Sequence, residues 1–175
     1  MASTYSTGYP SSWTSGGSWN FNSTYPLMGQ RFLTGNTVIG KKLSTATFWC
    51  KEIGGSTGNV QAQLLNSSGS VLETSTNTID TSTVGTSLAA CTFNFSNTNE
   101  IANGDLIMLS RDTGNFNNDF ALFTSEPTDQ ASNTGFNYSV TGAVNYDCAL
   151  DLTLDAAPPS SSTTLLPPPP AFVRI

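Results

Sequence analysis

The stretch that decides the fold is Ala89-Ala90-Cys91-Thr92-Phe93-Asn94-Phe95, in which apolar residues at the odd positions alternate with Ala90, Thr92 and Asn94. This alternation is the pattern of a β-strand that buries one face. In residues 43–50, the apolar Ala46, Phe48 and Cys50 share one face in the same way. Further strands are predicted at 60–64, 71–74, 105–110, 119–124, 137–141 and 147–155.

Turn residues separate these strands at short intervals, as in Asn66-Ser67-Ser68-Gly69. No segment places apolar residues at the three- and four-residue spacing of a helix. Because strands follow one another without intervening helices, the sequence predicts an antiparallel sandwich or barrel. We therefore expect an all-β protein whose residues 27–157 form an antiparallel β-sandwich.

The order of strands and turns also resembles a known type of sandwich. The resemblance is carried by Thr47-Phe48-Trp49 and by residues 56–62, 69–72, 92–96 and 104–106. Over residues 31 to 155 the chain is similar to jelly-roll β-sandwiches of the carbohydrate-binding-module type, which recur in phage, archaeal-virus and microbial surface proteins. The resemblance implies a jelly-roll-like domain with a role in adhesion, glycan binding or assembly.

Composition excludes several classes of active site. The 175 residues include no His, so neither a Ser-His-Asp triad nor a His metal ligand can exist. Three Cys cannot complete a four-cysteine zinc site. Twelve acidic residues make some carboxylate pair inevitable, so the remaining route to catalysis has no distinctive signal. We expect a protein that is not an enzyme and needs no cofactor.

Charge and hydropathy limit the partners. Six Lys and Arg against twelve Asp and Glu make the net charge −6, so no nucleic-acid partner is expected. No run of eighteen apolar residues occurs, so no membrane span is expected. The first residues lack the basic and apolar regions of a signal peptide, which favours a chain kept in the cytosol before it joins a virion or extracellular assembly; the alternative is that a signal peptide was removed.

Residues 1–26 differ in composition from the predicted sandwich. They are rich in Ser, Thr, Gly and Asn and contain no charged residue, so they cannot bury a core of their own. Their aromatic rings offer large contact areas, which predicts an extended arm that becomes ordered on another surface. A disordered tail is the alternative. The predicted subunit-interface residues of this arm are Tyr5, Tyr9, Trp13, Trp19 and Phe21.

Residues 158–175 are predicted to form a second arm. Six of the nine prolines lie near this end of the chain, and a proline tract is extended and stiff. The final Phe172, Val173 and Ile175 have strand propensity, so they are predicted to join the sheet edge of a neighbouring subunit by β-augmentation. The alternatives are that the tail folds back onto its own domain or stays disordered.

The three cysteines each align with an apolar face. Cys50 shares its face with Phe48, and Cys91 with Phe93, while Cys148 aligns with Leu150. Buried free thiols are the favoured interpretation, and one disulfide with a third free thiol is the alternative.

Two weaker binding patterns remain. Residues 112–119 gather oxygen ligands, and the speculative metal ligands are Asp112, Asn115, Asn117 and Asp119. An ordinary turn is the favoured interpretation of this loop, with Ca²⁺ binding as the alternative. Trp49 is predicted to face away from Phe48, and with Tyr138 it is a speculative glycan-binding residue. The competing interpretation packs Trp49 into the second sheet or beneath an arm.

The two arms decide the functional hypothesis. A protein with an aromatic arm at one end and a tethered strand at the other suits heterologous assembly. We expect a structural, self-assembling subunit of a virion (capsid, decoration or tail) or of an extracellular filament. Its partners would be copies of itself and a major capsid or fibre protein. The alternative is a glycan-binding adhesion module.

Overall fold

The computed structural model describes residues 2–7, 9, 16–22, 24–112, 117–125, 134–137, 143–144 and 147–156. Strands dominate these residues, and a 3₁₀ turn at Thr81–Thr83 is the only helical element among them. The strands form two antiparallel sheets that pack face to face, so the predicted all-β sandwich is confirmed. In the described part of the chain, no helix is long and apolar enough to cross a membrane.

Thirteen strands, numbered in chain order, occur in the described residues. Their bounds are β1 Ser3–Ser6, β2 Gly16–Asn22, β3 Leu27–Phe32, β4 Lys41–Glu52, β5 Asn59–Leu65, β6 Val71–Thr74, β7 Ile79–Asp80, β8 Ala89–Asn94, β9 Leu106–Arg111, β10 Asn117–Ser125, β11 Thr134–Asn137, β12 Ala143–Val144 and β13 Leu150–Ala156. The prediction found β4, β5, β6, β8, β9, β10 and β13 but missed β1, β2, β3, β7 and β12, and its strand at 137–141 overlaps β11 only at Asn137.

Sheet A consists of β1, β2, β4, β8, β10 and β13. Its centre is β4, the longest strand, which pairs with β8 on one side. On its other side β4 pairs first with β13 and then, from Cys50 to Glu52, with β10. Outside these, β1 pairs with β13 and β2 pairs with β10. The N-terminal strands therefore form one edge of sheet A.

Sheet B contains the remaining seven strands, in the order β12-β11-β3-β9-β5-β6, with β7 also paired to β5. The central strand β9 lies between β3 and β5, where Leu106 pairs with Arg31 on one side and with Leu65 on the other. The short strand β6 lies at one edge and pairs with β5, with Val71 opposite Leu65.

The core lies between the sheets and is built from the inward-facing residues of both. In β4, Phe48 and Cys50 are completely buried, and Phe48 packs edge-on against Phe93 of β8 with ring centroids 6.2 Å apart. Leu64 and Leu109 of sheet B belong to the same cluster. Burying a Leu or Phe side chain of this kind contributes about 1.5–3 kcal/mol. The apolar residues that alternate along the strands therefore form the contact between the two sheets.

A buried polar contact holds the chain where it crosses from sheet B to sheet A. Gln30 and Asp147 are both completely buried, and the Gln30 amide Nε2 donates a hydrogen bond to Asp147 Oδ1. The backbone N–H of Cys148 donates to Gln30 Oε1 at 2.8 Å. One side chain of β3 thus positions the segment that leads into β13.

The N-terminal residues differ from the expected arm. Both described stretches, β1 and β2, are strands of sheet A in their own chain. The physical reason is that inward and outward residues alternate in Gly16–Asn22: Trp19 and Phe21 face inward, and Ser18 and Asn20 face outward. The many Ser and Gly residues of this region hid the alternation from the sequence-based prediction. The sandwich therefore extends N-terminally of residue 27. The C-terminal arm, residues 158–175, lies outside the described residues.

Candidate functional site

A shallow groove on the outer face of sheet A is the candidate functional site. It lies where β2, β10 and the end of β4 run side by side, and its volume is about 250 Å³. The lining residues are Ser18, Asn20, Lys51, Glu52, Ile53 and Thr86.

Strand register brings the polar side chains of the groove together. Asn20 of β2 pairs with Ala121 of β10, and Ala121 pairs with Lys51 of β4. The residues on either side of Ala121 face the core, so these three share the outer face. The small residue in the middle leaves room between the amide and the ammonium group.

Two loops form the far side of the groove, and Glu52 holds both. Its carboxylate Oε1 accepts a hydrogen bond from the backbone N–H of Ser56 at 3.1 Å. Its backbone N–H donates to the carbonyl of Gly85 at 3.0 Å, next to Thr86. Between these contacts, Ile53 is 44% exposed and supplies the apolar surface of the groove.

An aromatic cluster lies on the same outer face. The ring of Tyr9 packs edge-on against Trp49, with centroids 5.0 Å apart, and against Phe123 at 4.9 Å. Trp49 faces away from the core, as predicted, but it lies beneath the N-terminal segment, as the competing interpretation had it. Its indole N–H is buried and has no hydrogen-bond partner. Tyr138, the other predicted glycan-binding residue, lies outside the described residues.

The groove presents a mixed polar and apolar surface. It offers hydroxyls, an amide, one ammonium and one carboxylate beside an exposed apolar side chain. Glycoside hydrolysis by the usual route uses two carboxyl groups at a defined separation, and among the described residues that line the groove only Glu52 is acidic. Within the described residues, no group of three His, Cys, Asp or Glu side chains could hold a metal ion.

The residues of the proposed calcium loop are distributed over different elements. Asp112 is exposed after β9, and its backbone N–H donates to the carbonyl of Asn59 at 2.9 Å. Asn117 and Asp119 lie in β10 rather than in the expected loop, because β10 begins at Asn117 to pair with Asn22. Asn115 lies outside the described residues. Ca²⁺ binding stays a prediction.

The aromatic residues predicted to contact another subunit contact their own chain where they are described. Tyr5 packs edge-on against Phe32, with ring centroids 5.7 Å apart, and Trp19 packs against Tyr25 at 5.6 Å. Phe21 is completely buried in the core, which corrects its assignment to a surface contact. The strand pairing of β1 and β2 explains this placement. Trp13, Phe172, Val173 and Ile175 lie outside the described residues.

The three cysteines are buried and free, so the favoured interpretation is confirmed. Cys50 and Cys91 lie on the neighbouring strands β4 and β8, two positions apart along the pairing, with Cys50 opposite Ala89 and Cys91 opposite Phe48. Burial raises the pKa of Cys50, and burial together with the nearby Asp147 raises the pKa of Cys148. Both stay protonated at neutral pH and are therefore poor nucleophiles.

The residues that line the groove were missed by the sequence-based prediction. Ser18 and Asn20 alternate with Trp19 and Phe21, which would have placed them on the outer face of a strand. Lys51 follows Trp49 by two residues, so it shares the outward face predicted for Trp49. Nothing in the sequence, however, brings β2 next to β4 through β10.

The fold and the groove together define an antiparallel β-sandwich protein with a polar groove on the outer face of one sheet. No family model matches this chain, and neither a curated protein nor a solved structure matches it.

Proposed function

We propose that this chain is a structural subunit of an assembly, a virion component or an extracellular filament, built on a jelly-roll-type sandwich. The observation that carries the proposal is the edge strand β6. Its consecutive apolar residues Val71 and Leu72 are 51% and 40% exposed. An exposed apolar edge strand offers backbone groups and side chains to another chain.

Segment 96–99 bonds the Glu73 side chain of β6, but the backbone of β6 has a weaker contact at Leu72. The Asn99 side-chain Nδ2 donates to the Leu72 carbonyl at 3.4 Å, a long bond that a strand N–H can replace. The chain also ends in Phe172, Val173 and Ile175, residue types that favour strands. The tail of one copy adding to β6 of another would link subunits head to tail, which produces rings or filaments.

The surface composition supports the same role. Charged residues make up only 10% of the chain, and the exposed positions of the strands are mainly Ser, Thr and Asn. Contacts between copies can then form through hydrogen bonds and bridging water without large charge repulsion. The partners would be copies of this chain and, in a virion, a capsid or fibre protein.

The test compares the full-length chain with two double variants by light scattering after size exclusion and by electron microscopy. We expect particles or filaments from the unmodified chain and their loss from Val71→Asp/Leu72→Asp. The control Thr78→Asp/Ser87→Asp adds the same charge at exposed positions and should still assemble. An unmodified chain that stays monomeric at high concentration would contradict the proposal, as would assembly by the β6 variant.

The groove favours glycan binding as a second candidate function. Hydroxyl, amide and charged groups beside aromatic rings are the usual surroundings of a bound sugar ring. Asn20 and Lys51 supply the polar groups, and the Tyr9–Trp49–Phe123 cluster lies on the same face.

Glycan-array binding by the monomer tests this second candidate. Asn20→Ala/Lys51→Ala should weaken binding at least tenfold, since two charged or neutral hydrogen bonds are worth roughly 1–3 kcal/mol each. Thr4→Ala, an exposed change on β1, should leave binding unchanged. An array without any bound glycan would exclude the adhesion module.

A further inference from the structure

The outer face of sheet B carries an apolar cluster that is separate from the main core. Leu65, Leu106 and Met108 form this outer cluster, with Leu27 packed against it. Their neighbours along the strands, Leu64, Ile107 and Leu109, belong to the main core instead. Because side chains alternate along a strand, the outer cluster lies on the side of sheet B that faces away from sheet A.

The outer cluster is buried although it lies outside the sandwich. Leu106 and Met108 are 0% exposed and Leu65 is 2% exposed. The outer face of an antiparallel sheet ordinarily meets water. All thirteen described strands belong to the two sheets, so none of them supplies a third layer over this face.

We infer that the C-terminal segment, residues 165–175, covers the outer cluster of its own chain. The first argument is where the described chain ends. Ala156, the last residue of β13, pairs with Lys41, and Lys41 accepts a hydrogen bond from the N–H of Ile101 at 2.9 Å. Residues 101–105 then lead directly into Leu106. The tail therefore begins at the same end of the sandwich as the outer cluster.

Length and composition are the second argument. Residues 157–164 can span about 25 Å at about 3.1 Å per residue, while packed sheets are about 10 Å apart. The tail can therefore pass over the end of the sandwich to the far face. It then supplies five large apolar residues, Leu165, Leu166, Phe172, Val173 and Ile175. The other segments of comparable length outside the described residues are mainly polar, as in residues 126–133.

The inference concerns the free subunit and does not require the proposed assembly. It does connect the two, because Val71 pairs with Leu65 and so continues the row of the outer cluster to the β6 edge. A tail that covers its own sheet in the free subunit would have to be released before it binds the β6 edge of another copy.

Methionine methyl groups provide the test. Met108 belongs to the outer cluster, while Met28 is completely buried in the main core and serves as an internal reference. In the full-length chain with labelled methionine methyls, we expect Phe172→Asp/Val173→Asp to shift the Met108 signal. The same variant should raise the relaxation of the Met108 methyl by a soluble paramagnetic chelate several-fold. Met28 should be unaffected.

The matched control is Thr163→Asp/Thr164→Asp, which places the same charge in the polar part of the tail. This control should leave both methyl signals in place. An unchanged, shielded Met108 in the Phe172→Asp/Val173→Asp variant would show that another segment covers the outer cluster and would overturn the inference. The measurement is made on the monomer, so its outcome is independent of whether particles form.

Discussion

The side chain of Asn77 pairs with the backbone of Asn94 as a neighbouring strand would. Its Oδ1 accepts from the Asn94 N–H at 2.7 Å, and its Nδ2 donates to the carbonyl of Thr92 at 3.0 Å. The adjacent Thr76 N–H donates to the Asn94 carbonyl at 2.8 Å. The connection between β6 and β7 thereby covers the edge of β8 and ties sheet B to sheet A.

Removing this contact should weaken the sandwich. We expect Asn77→Ala to lower the free energy of unfolding by about 1–2 kcal/mol, because two hydrogen bonds to the β8 edge are lost. Asn77→Asp keeps the acceptor and should cost less. Urea denaturation measures both, with the exposed Thr78→Ala as control. Equal stability of Asn77→Ala and the unmodified chain would mean that water replaces the carboxamide fully.

The hydroxyl of Thr7 should anchor the N-terminal strand to its own sheet. Thr7 is 3% exposed, and its Oγ1 donates to the carbonyl of Cys148 at 2.9 Å while it accepts from the Leu150 N–H at 3.0 Å. Thr7→Val keeps the shape but leaves both backbone groups unpaired, at a cost of about 1–3 kcal/mol. Thr7→Ser should retain most of the stability. If thermal unfolding does not distinguish Val from Ser, the N-terminal strand does not contribute this contact in solution.

Gly29 should tolerate no side chain. A Cβ atom there would lie 2.0 Å from the carbonyl oxygen of Ile107 and 2.7 Å from Cα of Met108, both backbone atoms of the central strand. We expect Gly29→Ala to destabilise the protein by about 3 kcal/mol or to prevent folding. Gly85→Ala is the matched control, because nothing lies within 4 Å of its Cβ position. Circular dichroism of the two variants should differ clearly, and a stable Gly29→Ala variant would contradict the register of β3 and β9.

Glu73 should make stability depend on acidic pH. Burial alone would raise the pKa of its carboxyl, but hydrogen bonds from Ser96, Asn99 and Thr98 lower the pKa below its ordinary value. A carboxyl whose pKa is lower in the folded state stabilises the fold above its unfolded pKa, about 4.3, and loses that contribution as pH falls through the folded pKa.

The variant that tests this is Glu73→Gln. We expect it to be about 0.5–1 kcal/mol less stable than the unmodified chain at pH 7, since the site is largely exposed and solvent screens it. The difference should begin to shrink as pH falls below about 4.3 and should approach zero below the lowered folded-state pKa, where the carboxyl is protonated in both states. A difference that stays constant across this range would show that the hydrogen bonds do not depend on the charge.

The predicted strands succeeded where alternation was strong and failed where polar residues interrupted it. β4 and β8 were evident because apolar residues recur at every second position in each of them, around Phe48 in β4 and around Phe93 in β8. β3 was missed because Gln30 occupies a core position, where its amide is paired with the buried Asp147. A buried polar residue of this kind can be recognised only when its partner, 117 positions away, is known.

The candidate site, too, was predictable from the sequence only in part. The outward direction of Trp49 follows from the period of two within β4, and the sequence alone predicts it. The groove beside it depends on Asn20, Ala121 and Lys51 meeting in one row, which requires β10 to lie between β2 and β4. Alternation specifies which face a residue occupies, but it contains no information about which strand lies next to it.

The sequence by itself determined that this chain forms antiparallel strands and, where alternation is strong as in β4 and β8, which residues those strands bury; it also favoured buried free cysteines over a disulfide. Only the tertiary structure decided that the N-terminal segment completes sheet A, that Cys50 meets Cys91, and that a second apolar cluster lies outside the sandwich. The physical reason is the separation along the chain of the residues that interact. Alternating burial is specified by adjacent residues, whereas strand order and register depend on hydrogen bonds and packing between residues far apart in the chain.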